Sequence, residues 1–280
     1  MGIVPGVLIE SPQPLRRRYG LLTAASGPMD LTDHGKGGGV RYVPVTCGEA
    51  HPYPIGCYNG EVIVPEGGKP RDPENAEVEA PSFIAVASIE CGSLGYTASE
   101  FEAKVRRRLE NGEQGAAELA LWTGEDPSGT SLGIPYLADP DSYDNVAVAD
   151  DQHLAAVVSA LEDWAYRVEG YGQVAYIHAP VAVASWAAYH GELIVQDGPL
   201  MRTPYGSIWV FGGGYPNDGG IHITGQVNLW RSPDIFVYPA DQTMDRQTNQ
   251  RLLVAEREYA IGFDCLNGRA DFDPLGVTSP

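Results

Sequence analysis

Few residues in this chain have the types and spacing that chemistry needs. GTSLG (129–133) matches G-x-S-x-G, the pattern in which a serine on a sharp strand-to-helix turn becomes a nucleophile. Ser131 would then serve an α/β hydrolase. The flanking residues, GEDPS before and IPYL after, supply neither an apolar strand nor a helix, so catalysis by Ser131 is not expected. The six histidines (His34, His51, His153, His178, His190, His222) show no H-x-x-x-H or H-E-x-x-H spacing and read as structural. Cys47, Cys57, Cys91 and Cys265 are scattered, without the two close pairs of a zinc site, and read as free thiols. The glycines at 212–214 lack the G-x-G-x-x-G spacing and a following capped helix, so they read as a turn. The pairs Asp139/Asp141, Asp150/Asp151 and Asp271/Asp273 read as loops or caps. No catalytic residue, metal or cofactor is expected.

The composition narrows the class further. The chain has 280 residues, with 18 Lys and Arg against 37 Asp and Glu, for a formal charge of −19. Such a chain does not grip nucleic acid through phosphate contacts, which need a basic surface. Hydrophobic residues make up 43%, enough for a core, while 34 Gly and 22 Pro argue against a uniform helical bundle. No apolar run is long enough to span a membrane, and the N-terminus does not read as a secretory signal or a myristoylation site. The charge is uneven. Residues 1–46 hold five basic and three acidic side chains, a charge of +2, which leaves −21 on the rest.

The elements are legible in outline. Residues 1–40 have no sustained period and read as an arm ending in the joint GKGGGV. VRYVPVTC (40–47) and FIAVASIEC (83–91) read as strands around a polar excursion, PEGGKPRDPENAEVEAP (65–81). Thr97 and Glu100 form a T-x-x-E capping box, and Phe101, Val105, Leu109, Ala116, Leu119 and Trp122 recur near helical spacing. This predicts a helix over 97–122, about 37 Å long, bent near Asn111–Gly115. A second helix starts at an Asp150 or Asp151 cap and ends at Gly170. A strand (173–179) and a third helix, opened by Pro180, follow. SIWVFG (207–212), HITGQVNLW (222–230) and DIFVYPA (234–240) read as strands, and RLLVAEREYAIGFDC (251–265) alternates with period two. The expected fold class is α+β.

The order of these elements resembles the major capsid protein of tailed bacteriophages, the shell fold shared with encapsulins. Residues 1–40 resemble its N-terminal arm, 41–96 its extended loop, and TASEFEAKVRRRLENGEQGAAELALWTG (97–124) its spine helix. By the same likeness, 97–149 form the spine helix and part of a peripheral domain, 150–220 an axial domain, and 221–280 the closing strands of the peripheral domain. NLWRSPDIFVYPADQ and RLLVAEREYAIGFDC are similar to those strands.

The resemblance implies a non-enzymatic virion protein that self-assembles into an icosahedral shell around double-stranded DNA. The shell would be built in the host cytoplasm from hexamers and pentamers, with no membrane involved. A separate scaffolding protein and a portal are implied partners, since the chain shows no charged helical N-terminal extension. The residues expected at subunit contacts are Arg16, Arg17 and Arg18 in the arm, Lys69 and Arg71 in the loop, and Arg106 and Arg108 on the long helix. Lys69 is the one lysine of the loop placed to crosslink as in some relatives. The alternatives are a head–tail connector or tail-tube subunit and, more remotely, the Ser131 hydrolase.

Overall fold

The computed structural model describes residues 18–31, 37–44, 47, 57–58, 61–62, 77–92, 97–189, 193–238, 244–245 and 250–274. The first elements are α1 (Leu21–Ala24), β1 (Ser26–Asp30), β2 (Val40–Tyr42), β3 (Cys57–Tyr58), β4 (Glu61–Val62), β5 (Val78–Ala80), β6 (Ser82–Gly92) and the long α2 (Ala98–Thr123). After β7 (Asp144–Asn145) come α3 (Leu154–Asp163) with a π-helical turn over Trp164–Val168, β8 (Tyr176–Pro180) and α4 (Val181–Tyr189). The rest is β: β9 (Val195–Asp197), β10 (Leu200–Arg202), β11 (Ile208–Gly212), β12 (Gly220–Thr224), β13 (Val227–Arg231), β14 (Phe236–Val237), β15 (Met244–Asp245), β16 (Gln250–Phe263) and β17 (Asn267–Asp271).

Two sheets organise these elements. One has the order β1-β13-β16-β14, with β6 and β15 also paired to β16. The other runs β7-β17-β12-β8-β11-β10-β9. The backbone of β16 is the longest strand because alternation persists along it. Leu253, Ala255, Tyr259 and Ile261 are buried, while Leu252 is exposed. It pairs antiparallel with β6 from Gln250↔Gly92 to Ala260↔Ser82, so Phe83, Ala85, Ala87 and Ile89 share the face of Tyr259, Arg257, Ala255 and Leu253. The core of α2 packs on that face through Phe101, Val105 and Leu109. A second core lies on the other sheet, under α3 and α4, around Leu154, Val157, Leu161, Trp209, Ile221 and Ile223.

The helix α2 starts as its capping box requires. The Thr97 hydroxyl accepts from the Glu100 backbone N–H at 3.3 Å, and the Glu100 carboxylate accepts from the Thr97 N–H at 2.7 Å. It runs on through Gly112 and Gly115 to Gly124, whose φ of +67° ends it. Its buried series differs from the expected one after Leu109. Ala116 is exposed and Leu119 half-buried, whereas Glu113, Ala117 and Leu121 are buried. The series 101, 105, 109, 113, 117, 121 holds a strict four-residue step, which places a glutamate inside the core.

Several expectations change. Residues 18–31, part of the arm expected over 1–40, are built into the fold: Leu21 is fully buried and β1 pairs in parallel with β13. The short apolar run LLTAA finds its partner in α2 and the core, not in its own periodicity. HITGQVNLW was read as one strand but forms β12 and β13, in different sheets. Gly225 lies between them, packed so close to the other chain crossing that a Cβ there would lie 2.3 Å from the Asp264 carbonyl oxygen. The start of α3 is at His153, without a side-chain cap, while Asp150 accepts from the Gln152 N–H and contacts His153. Strands β12, which starts at Gly220, and β17 belong to the sheet that β8 and β11 build. The cysteines Cys47 and Cys265, expected as free thiols, form a disulfide, because the fold brings together residues 218 apart in sequence.

Candidate functional site

One feature of this molecule that invites a partner is an exposed sheet face. Along the β6–β16 ribbon, period-two alternation puts every second side chain on the face away from α2. Ile84 and Val86 are 55% and 54% exposed there, and Leu252 is 41% exposed. Phe236, opposite Glu256 on the neighbouring strand β14, is 60% exposed. The end of this face near Ala260 is covered by the same chain, through Leu31, Val40, Tyr42 and Ala80. The Gly37 N–H adds a bond to the Glu258 carboxylate. Beyond it Ile84, beside Glu258, then Val86 and, further along, Leu252 stay exposed. Glu258, Glu256 and Glu90 stand opposite Ile84, Val86 and Leu252, so the face offers exposed apolar side chains set among carboxylates, a mixed surface of the kind that contacts use.

A second apolar surface lies on α4. Its sequence, VAVASWAAY, carries no charge on any side, and a helix apolar all round is normally buried. Here Val183 and Ala187 pack on the sheet while Val181, Trp186 and Tyr189 are exposed.

Three of the expected contact cations, Arg18, Arg106 and Arg108, lie among the described residues. Arg18 is exposed at the entry to α1. The Arg106 Nη1 donates to the Ile235 carbonyl at 2.8 Å, and the Arg108 Nη1 donates to the Ser88 carbonyl at 2.7 Å. Both guanidinium groups therefore hold α2 onto strands or loops of their own chain while remaining exposed. Arg16, Arg17, Lys69 and Arg71 lie outside the described residues, as do His34, His51 and His190.

The interior has polar groups that sequence reasoning missed. Glu113, 1% exposed, meets Arg231 at 3.2 Å, Arg257 at 2.9 Å and the Tyr259 hydroxyl at 2.8 Å. Glu118, fully buried, accepts from the Leu21 N–H at 3.2 Å and the Gly214 N–H at 2.8 Å. These carboxylates tie α2 to β13, β16, the α1 entry and the 212–214 turn. The strict four-residue step in α2 was the signal for Glu113, since a charge on a buried stripe requires a buried partner.

Two histidines, His178 and His222, are fully buried on neighbouring strands β8 and β12. His178 is held between the Tyr215 hydroxyl at 2.9 Å and the Thr224 hydroxyl at 3.0 Å. Burial, helped by the neighbouring His222, pushes its pKa down to about 3. His222 is bonded to Asn267 at 3.1 Å, and burial pushes it down to about 4. The hydroxyl of Ser131 accepts from the Gly133 N–H at 3.2 Å, in a loop bridged to Glu125. Neither a strand before it nor a helix after it forms a nucleophile elbow. The glycines 212–214 make a turn, as expected. A Cβ on Gly214 would lie 2.2 Å from the Gly115 carbonyl oxygen, so this glycine lets the turn touch α2.

By sequence, the chain matches no family model and no curated protein. By structure it resembles known particles along nearly its whole length. The capsid of an empty GTA particle computed with C5 symmetry is 15% identical, over 96% of this chain and 95% of that one, with a TM-score of 0.58. A chain from Microbacterium phage Oxtober96 is 12% identical over 97% and 96%, with a TM-score of 0.55. One from Mycobacterium phage Adephagia is 16% identical over 97% and 96%, with a TM-score of 0.53. The chain has the α+β fold of phage capsid shell proteins. Among the described residues, no helix is long and apolar enough to cross a membrane.

Proposed function

We propose that this protein is a major capsid subunit that self-assembles into an icosahedral shell enclosing double-stranded DNA. The observation that carries the reading is the shared fold over 96% of the chain with a capsid protein, at 95% coverage of that protein. Within the reading, 1–40 act as the arm, 41–96 as the extended loop, 97–149 as the spine and part of the peripheral domain, 150–220 as the axial domain and 221–280 as closing strands. Residues 18–31 would anchor the arm in its own subunit, which leaves the chain before Arg18 to reach neighbours. The open faces around Ile84, Val86 and Leu252 and around Trp186 and Tyr189 fit surfaces that are buried when copies pack.

Charge supports the same reading. A chain of net −19 repels DNA weakly and so suits a container that releases its contents. Copies of like charge must then meet through apolar contact and local cations, among them Arg16, Arg17, Arg18, Lys69 and Arg71. Scaffolding and portal proteins are the further partners this role requires. The test is negative-stain electron microscopy of the purified protein with a mass measurement. Spherical shells are expected. Rings or tubes would assign a connector or tail-tube role instead, and a monodisperse monomer at high concentration would overturn self-assembly.

A further inference from the structure

Two short crossings of the chain between its large sheets lie on top of each other. The chain passes from β12 to β13 through Gly225 and Gln226, and from β16 to β17 through Asp264, Cys265 and Leu266. The Asp264 N–H donates to the Gln226 carbonyl at 2.9 Å, and the Asn228 amide donates to the Asp264 carboxylate at 3.0 Å. Cys265 sits at the corner, exposed, with φ +65°. Its disulfide partner, Cys47, lies five positions past Tyr42, on the stretch that leaves β2 before the chain returns at β5. The Cα atoms are 5.4 Å apart, within the reach of an ordinary disulfide.

We propose that this bond is an oxidation-controlled clamp, open while the protein is made and closed once it leaves a reducing compartment. Two observations support that order. The partners are 218 residues apart in sequence and meet where β16 gives way to β17, so the bond joins a contact that the fold itself makes and can close after the chain has folded. The exposed side chain at Cys265 can be reached by a small oxidant after folding, whereas reducing cytoplasm keeps such thiols apart. The oxidant is a low-molecular-weight disulfide. A thiolate at Cys265 attacks it, forming a mixed disulfide and releasing one small thiolate. The Cys47 thiolate then attacks the Cys265 sulfur and releases the second. Two protein thiols lose two electrons and two protons, and one small disulfide becomes two small thiols.

Closed, the clamp fixes the start of the 43–77 segment to the point where both sheets join and encloses residues 47–265 in one covalent ring. Its role in a particle rests on the shell reading, but its chemistry does not, and the two can fail separately. Cells making the full-length protein are lysed with alkylating agent present, and a second sample is treated with oxidised glutathione before alkylation. Peptide mapping without reductant is expected to find Cys47 and Cys265 alkylated in the first sample and linked in the second. The midpoint of chemical denaturation should then be higher for the oxidised chain, fall on adding reductant, and lose that dependence in Cys47→Ser. The Ser variant should match the reduced wild type, since the open state is the one that folds. A bond already present at lysis, or thiols that stay alkylatable after glutathione, would overturn the clamp. So would a midpoint indifferent to reductant. If the chain forms no shells but passes these measurements, the clamp stands and the capsid reading falls.

Discussion

Glu113 of α2 and Arg257 of β16 form an ion pair at 2.9 Å in which the carboxylate is 1% exposed and the guanidinium 11%. Arg231 and Tyr259 complete the carboxylate's shell, so one helix residue holds two strands of the sheet. Removing one partner of such a buried pair leaves uncompensated charge and costs about 3–5 kcal/mol. Glu113→Ala should therefore destabilise the chain by roughly that amount. Urea denaturation of the purified variant reads it, and a change below about 1 kcal/mol would show that the pair contributes little.

Two glycines of similar appearance in the sequence should respond in opposite ways. A Cβ on Gly214 would meet the Gly115 carbonyl oxygen at 2.2 Å, so Gly214→Ala forces the turn off α2, at a cost of about 1–3 kcal/mol. Gly112 faces open space within α2, and Gly112→Ala should stabilise by up to about 1 kcal/mol through helix propensity. Thermal midpoints of the two variants, side by side, check both signs.

Acid should unfold the chain through His178 and His222, whose pKa values are pushed down to about 3 and about 4. In the unfolded chain each titrates near 6.5, so below that pH the unfolded state binds protons that the folded state refuses. Their contribution is complete above pH 6.5 and declines as pH falls, reaching its floor near pH 4 for His222 and near pH 3 for His178. Each should remove about 2 kcal/mol between pH 6.5 and pH 5. Denaturation midpoints at the two values should differ less in His178→Gln than in the wild type.

The exposed face of the β6–β16 ribbon gives a test of assembly apart from folding. Ile84 and Val86 are more than half exposed in the single chain, so Ile84→Lys with Val86→Glu should change its stability by no more than about 0.5 kcal/mol. If the face is buried between copies, shell yield by electron microscopy should fall sharply. Normal shells would show that this face stays wet.

Arg106 and Arg108 carry the reverse expectation. Their bonds to the Ile235 and Ser88 carbonyls are within the chain, so alanine at either should lower chain stability by about 0.5–1.5 kcal/mol. Measuring stability and shell yield together separates this holding role from a subunit contact, in which yield would fall with stability unchanged.

Local periodicity made much of the secondary structure legible. The capping box at Thr97 and Glu100, the apolar steps of α2 as far as Leu109, and the strand at β16 are properties of neighbours in sequence, and each appears where the pattern put it. Propensity and capping act within a turn or two, so no distant residue is needed to read them.

What distance along the chain conceals is pairing. That β6 lies on β16, that β12 and β13 belong to different sheets, and that Leu21 fills a core rather than trailing as an arm all depend on partners far away in sequence. The same holds for charge: that Arg106 and Arg108 reach the Ile235 and Ser88 carbonyls, and that Glu113 meets two arginines, depends on residues far away in sequence. A residue's type states what bond it can make. Strand register and the packing of α2 on the sheet choose the partner, because hydrogen bonds and buried ion pairs require atoms within about 3 Å, and that proximity exists only after the sheets have formed.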